Sequence, residues 1–399
     1  MSVTEHVPSS TPPAQMTHAE AIELARAFAP VIRERAVQAE QERRQPMETI
    51  QELTSAGLTR LLTPRVWGGY ELGFDAFVDA VIEIGKADAS AGWCYSFVNV
   101  HAWFLGHYPE QAQRDVWGSS PDVILADSFI PAGRVTRVEG GFRVSGTWPF
   151  VSGIDHSTWA MLAGFIPGEQ APGPHVFLMP DSDYEIEDTW FVAGLKGSGS
   201  KSVVVKDVFV PVHRAVNLIE LSDGISPGAT LNPHPMYRHA ALAIFPCALV
   251  SPIVGATIGA YDLMRENLRT KSTRITGTAL STYSHQQIRL TESSIDISNA
   301  QHLLREVLDI ACSEGPITLE QRMLCHRNFA AIAKLCVSVV ERIYLSSGGS
   351  ANYESHPLQR YWRDIHAMAS HSALGFDMAG ETYGLHEIGQ PRNPRDPYL

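Results

Sequence analysis

GLKGSGSKSVVVKDVFVP, Gly194 to Pro211, passes from a glycine- and serine-rich loop directly into an alternating run of β-branched residues. The loop is superficially close to GxxxxGK[ST], but Lys201 falls one place late. A phosphate loop must also open a helix, and VVVKDVFV reads as a strand. A nucleoside triphosphatase is therefore excluded. A Gly/Ser loop between strands can still approach a cofactor closely or cradle an anion with its N–H groups. It reads equally well as a plain hairpin loop.

Working outward, VILADSFI, GRVTRVEGGFRVSGTW, TWAMLAGFI and HVFLMP are short, rich in β-branched and aromatic residues, and bounded by Gly, Pro and Asp. Gly140-Gly141 sits where a tight hairpin turn belongs. These segments predict a compact β domain over residues 121–230. Both flanks carry helical periodicity. Upstream lie 19–44, 46–62 (Pro46 in its first turn, Gly57 near its end), 74–90 and the aromatic-rich 92–108, giving a helical domain over 17–120. Downstream, 242–268, 284–314, 318–347 and 358–384 are four long segments with short connections, as in a four-helix bundle over 231–399. Residues 1–16, rich in Ser, Thr and Pro, read as a flexible leader. The expected class is α+β, mainly α, with the order helices, β domain, bundle.

The formal charge of −12 leaves no excess of Lys or Arg for a general nucleic-acid binder. Five widely spaced cysteines with no CxxC pair suit reduced thiols and offer no zinc site. With no signal sequence and no uncharged apolar run judged long enough to cross a bilayer, the expectation is a cytoplasmic protein with no membrane contact. The dinucleotide fingerprint GxGxxG is absent, so nicotinamide electrons must arrive by another route.

Three stretches can carry chemistry. In GTWPFVSG (Gly146–Gly153), Ser152 can hydrogen-bond a ring nitrogen while Trp148 and Phe150 exclude water. The same residues also read as a strand end with two core aromatics and a turn. In SSGGSANYESHPLQRYWRDIHAMASH, Gly348-Gly349 precede a helix carrying Arg363, Asp364, His366 and His371. Arg363 beside Asp364 reads as a structural ion pair. His366 and His371, five apart, do not share a helix face, so no metal is expected. His101 and His107 flank an aromatic cluster; such a histidine is usually a core residue, and a proton handler if it lines a cleft.

In this order, AGLTRLLTPRVWGGYE, GTWPFVSG, GLKGSGSKSVVVKDVFVP and SSGGSANYESHPLQRYWRD resemble the acyl-CoA dehydrogenase superfamily over nearly the whole chain. Arg274 followed by Gln286 or Gln287 also matches that family's spacing. The resemblance implies a flavin between the β domain and the helices. In many dehydrogenases of this fold a catalytic Glu followed by Gly-Thr lies after the Arg-Asp pair; here the segment is MASHSALGFD, with His371 and Ser372 in its place. It looks instead like the reduced-flavin-dependent monooxygenases of this fold, among them hydroxyphenylacetate, hydroxylated-steroid and indole oxygenases.

That likeness implies reduced FMN or FAD with O2 as co-substrate, a separate NAD(P)H:flavin reductase as partner, oxygen adding at flavin C4a, a small phenolic or indolic substrate, and a homotetramer. It places Ser152 by flavin N5, His371 by C4a, and His101 with Ser128 on a phenol oxygen, with Trp148 lining the pocket. Trp93, Asp127, Ser128, Phe129, Phe150, Val151, Arg274, Gly349, Ser350 and Ser372 match flavin contacts. Other readings are an FAD-dependent acyl-CoA dehydrogenase or oxidase, and a catalytically silent flavin-binding scaffold.

Overall fold

The computed structural model describes residues 14–168, 173–273 and 275–391; most of the expected leader, and Arg274, lie outside them. Helices α1 (His18–Glu42), α2 (Met47–Ser55), α3 (Phe74–Ala87), α4 (Ala89–Leu105) and α5 (Glu110–Trp117) come first. The helix expected over 46–62 is shorter: α2 stops at Ser55, and Gly57 takes φ +81°, which admits only a 3-10 turn beyond it.

Strands β1 (Leu125–Val138), β2 (Gly141–Val151), β3 (Trp159–Phe165), β4 (His175–Pro180), β5 (Glu185–Glu187), β6 (Lys201–Pro211) and β7 (Ala215–Asn217) form one seven-stranded sheet. Its order is β5-β6-β2-β1-β3-β4-β7, antiparallel except where β1 pairs with β3. Val138 opposes Gly141, so the hairpin turn is Glu139-Gly140, one place earlier than the Gly140-Gly141 pair, with Gly140 at φ +75°.

Two short helices, α6 (Leu218–Ser222) and α7 (Ala241–Ile244), lead to α8 (Cys247–Thr270), α9 (Ser284–Ala311) and α10 (Leu319–Ser346). The fourth expected helix is in fact two, α11 (Pro357–Ala369) and α12 (Phe376–Glu387). α8 packs on α9, α10 and α11 and also on α3 and α4, so N-terminal and C-terminal helices share one hydrophobic core. The sheet's inner face has a second core, built around Phe142, Val144, Trp148, Phe177 and Val203.

Ala241–Thr270 is long and apolar enough to cross a membrane, with mean hydropathy 2.0, which corrects the expectation that no such run exists. Its most apolar window is 89% buried inside the protein, as a central helix of a packed core must be. α4 is more enclosed still, with every one of its residues buried. The N-cap carboxylate of Asp88 accepts from Ala91 N at 2.8 Å, and Arg360 Nε lies 3.4 Å from its other oxygen. All five cysteines are free thiols.

Candidate functional site

One face of α4 carries Trp93, Phe97 and His101 at four-residue intervals, which stack one turn above another. Ring centroids are 4.9 Å apart for Trp93–Phe97 and 5.2 Å for Phe97–His101. Phe245, the C-cap of α7, lies 6.3 Å from Phe97 and 5.4 Å from Phe129 on β1. These rings form one aromatic wall where α4, β1 and the segment between α7 and α8 meet. At its outer end Trp93 faces His371, with centroids 6.4 Å apart.

The sheet contributes the end of β2. Phe150 adopts φ +63°, a conformation that costs a non-glycine residue about 1–3 kcal/mol. The twist turns its ring outward, 60% exposed, edge-on to Trp190 at 6.1 Å. Gly153 at φ +72° then lets the chain leave the strand. Between them Ser152 Oγ accepts from Trp93 Nε1 at 3.1 Å and touches Ser200 Oγ at 2.8 Å. Ser200 in turn lies 2.7 Å from Ser198 Oγ, which donates to Leu195 O. The Gly194–Ser200 loop is therefore a packed element rather than an exposed hairpin. A Cβ at Gly194 would sit 2.2 Å from Arg363 O, so the loop reaches α11 only because it begins with glycine.

His371 is not on α11, as the sequence suggested. The helix ends at Ala369, and His371 becomes the N-cap of a 3-10 turn, Ser372–Leu374. Its Nδ1 accepts from Ala373 N at 3.2 Å. The neutral ring therefore carries its proton on Nε2 and offers an N–H. Burial lowers the His371 pKa below its ordinary value, with Asp127 opposing, although the residue as a whole is solvent-exposed. Nor do Arg363 and Asp364 pair: Arg363 bonds Glu40, Gln359 and Ala193 O, while Asp364 accepts from Leu195 N at 2.7 Å.

His101 is fully buried. Its Nδ1 donates to Leu125 O at 2.8 Å, and Nε2 lies 3.1 Å from Asp127 Oδ1 without hydrogen-bond alignment. Asp127, with 11% of its side chain exposed, is the more accessible of the two. Along β1 alternate residues face opposite ways, so Ser128 turns from His101 and donates to Pro149 O at 3.0 Å. The structure thus brings Asp127, not Ser128, to His101.

Trp148 requires a second correction. It is 0% exposed inside the sheet's own core, with Nε1 donating to Ala163 O at 2.7 Å, and lines no cleft. Val151 lies in the same core, while Ser372 is exposed beside His371. Gly349 and Ser350 sit in an exposed 3-10 turn before α11, at the end opposite His371 and about 20 Å away by helix rise. Among the described residues no cluster of three His, Cys, Asp or Glu side chains could hold a metal. Phe97, Phe245, Ser198 and Ser200 escaped the sequence reading; the 93/97/101 spacing pointed to Phe97, and nothing local pointed to the serines.

The residues fit a flavin: an exposed aromatic ring at Phe150, a hydroxyl acceptor at Ser152, an N–H donor at His371 and a wall of rings. Residues 15–119 match the family described as acyl-CoA dehydrogenase, N-terminal domain, and 247–376 that described as acyl-CoA dehydrogenase, C-terminal domain. The chain belongs to the acyl-CoA dehydrogenase family. Within this family it is 38% identical, over 92% of its own length and 97% of the relative's, to the flavin-dependent monooxygenase oxygenase subunit HsaA of Rhodococcus jostii RHA1. It is 32% identical to the FADH2-dependent resorcinol hydroxylase oxygenase component of Rhizobium sp. MTP-10005, covering 98% of each chain. The crystal structure of 3-HSA hydroxylase from Rhodococcus sp. RHA1 superposes with a TM-score of 0.89 at 35% identity, over 96% of this chain and 100% of that one. The acyl-CoA dehydrogenase fold here is thus that of the flavin-dependent monooxygenases, and this member is an oxidoreductase of that group.

Proposed function

We propose that this chain is the oxygenase component of a two-component system that hydroxylates a small phenolic ring, with reduced FMN or FAD delivered by a separate NAD(P)H:flavin reductase. The observation that carries this reading is the convergence of Trp93, Ser152, Asp127 and His371 on one aromatic-walled cleft, with a histidine where a thioester dehydrogenase would need a carboxylate base. The reduced flavin, when bound, supplies the electron pair with which O2 delivers one oxygen atom to the ring and releases the other as water.

Trp93, Phe97, Phe129 and Phe245 exclude water, which preserves a reactive oxidant from wasteful decay. Phe150, exposed at the end of β2, would contact the planar cofactor. Ser152 would accept a hydrogen bond from the edge of the flavin ring, and His371 would offer its Nε2–H as a donor beside it. Asp127, beside His101, takes the proton of the substrate hydroxyl, which makes the ring carbon more nucleophilic; such positioned acid–base groups contribute about 10²–10⁴-fold. The electrons have no entry through this chain itself, since it lacks a dinucleotide fingerprint.

The protein acts in the cytoplasm, free of membrane, and assembles as a homotetramer. Exposed Ile288 and Ile295, seven residues apart on the outer face of α9, support burial against another copy. The test of function is direct: purified protein, photoreduced FMN or FAD, air and a panel including resorcinol and alkylated phenols. Hydroxylated product from at least one phenol is expected. No product from any phenol, together with reduction of bound flavin by an acyl-CoA thioester, overturns the assignment.

A further inference from the structure

Four hydrogen bonds in the site have only one consistent arrangement of protons. Ser198 Oγ lies 2.8 Å from Leu195 O, a carbonyl that can only accept, so the single Ser198 proton is committed there. The 2.7 Å contact between Ser198 and Ser200 must then use the Ser200 proton. The 2.8 Å contact between Ser200 and Ser152 must use the proton of Ser152. Trp93 Nε1, a donor only, supplies the last bond to Ser152 Oγ at 3.1 Å. Every donor is used, and all run the same way, from Trp93 through three hydroxyls to a backbone carbonyl.

Ser152 is left with no proton for the cleft and one free lone pair. Its neighbours are nearly dry, with Ser198 1% and Ser200 4% exposed, so water does not readily break the order. The loop cannot easily turn away either. Leu195 N is held by Asp364 at 2.7 Å, and Gly153 N donates to Ser198 O at 3.0 Å.

We propose that Ser198 and Ser200 are positioning residues that fix Ser152 as a hydrogen-bond acceptor and thereby make the site select the reduced flavin over the oxidised one. The inference rests on the flavin reading of the cleft. In reduced flavin N5 carries a hydrogen that a lone pair welcomes. In oxidised flavin N5 is itself only an acceptor, so two lone pairs would face one another. Neither Ser198 nor Ser200 touches the flavin in this scheme; they act through Ser152 alone.

The experiment is anaerobic equilibrium binding of oxidised and of reduced FMN, and of FAD, to the full-length protein and to Ser200→Ala, Ser198→Ala and Ser200→Thr. The wild type is expected to bind reduced flavin at least tenfold tighter. Ser200→Ala and Ser198→Ala free the Ser152 proton to reach N5, so the preference should shrink about five- to tenfold, mainly because oxidised flavin binds better. A tenfold change in that ratio lowers the midpoint potential of bound flavin by about 30 mV, an independent readout. Ser200→Thr keeps the hydroxyl and should keep the preference. An unchanged ratio in both alanine variants, or equal weakening of both redox forms, overturns the proposal while leaving the flavin site intact. A wild type that binds neither form overturns it along with the flavin reading.

Discussion

Trp93 Nε1 donates to Ser152 Oγ across 3.1 Å, tying the central helix α4 to the end of β2 at the mouth of the cleft. The bond joins the two cores of the molecule and fills one of the two lone pairs of Ser152. Trp93→Phe keeps most of the ring but removes the donor. The fold should survive with a loss of about 1 kcal/mol. Ser152 becomes freer to rotate, so the product formed per flavin consumed should fall several-fold. Product yield and peroxide release, measured together, check this; unchanged coupling would assign the bond to packing alone.

His371 follows the end of α11 and is solvent-exposed, so its loss should leave the core intact. His371→Ala removes an N-cap acceptor worth about 1 kcal/mol and the Nε2 donor, and coupled hydroxylation should drop by two orders of magnitude or more. His371→Asn retains the cap, so it should recover stability without recovering product. Full product yield in the alanine variant would remove His371 from the chemistry.

The same residue sets a pH limit. Burial lowers the His371 pKa and Asp127 opposes that shift, so the neutral ring persists at neutral pH and below its ordinary range. Protonation keeps the Nε2–H but takes the Nδ1 lone pair that accepts from Ala373 N and holds the ring in place, so coupled hydroxylation should decline only on the acid side, below the ordinary pKa near 6.5. Asp127→Asn removes the opposing charge, and the limit should move to still lower pH. NMR titration of the His371 ring in both proteins gives the pKa values without requiring turnover; a limit above that of ordinary histidine would contradict the burial of this site.

Phe150 and Trp148 are two positions apart and do opposite jobs. Trp148→Ala opens a hole in the sheet's core and should cost about 3–5 kcal/mol of stability. Phe150→Ala loses an exposed ring and should cost little stability, but flavin affinity should fall by about tenfold or more. Thermal melts beside flavin titrations separate the two. Equal stability losses would place Phe150 in the core as well.

Deeper in the molecule, burial and the neighbouring charge of Asp88 push the Asp364 carboxyl up to about 7, from an ordinary value of 3.8. The folded state therefore holds this proton over a pH range where the unfolded chain has released it. Stability from this group is full below about pH 4 and declines as pH rises toward 7. Asp364→Asn cannot ionise but can still accept from Leu195 N. Its denaturation midpoint should vary less with pH between 4 and 7 than that of the wild type, by up to a few kcal/mol of stability. Parallel pH profiles for the two proteins would dismiss this role.

The sequence carried the order of elements because periodicity and turn residues are local signals. Gly57 and Gly140 are examples: each stands where φ is positive and a helix or strand must stop. His371 and Ser152 were legible by resemblance. Their partners were not. Trp148 and Phe150 look alike in GTWPFVSG, and only the positive φ at Phe150 decides which ring is buried. Asp127 and Ser128 are adjacent, and only the strand's facing decides which meets His101. Ser198 and Ser200 are ordinary loop serines until the loop is folded against α4 and β2. Arg363 and Asp364, neighbours in sequence, point to different partners because a helix separates adjacent side chains by about 100°.

The most direct test of the oxygenase assignment is stopped-flow mixing of the protein, loaded anaerobically with reduced FMN or reduced FAD, with oxygenated buffer. An aromatic-walled site should hold back the return of oxidised-flavin absorbance well beyond the time taken by free flavin, and a phenol substrate should hasten that return while yielding hydroxylated product. Reoxidation with both flavins at the free-flavin rate, unaffected by any phenol, would contradict the assignment and return the thioester dehydrogenase reading to first place.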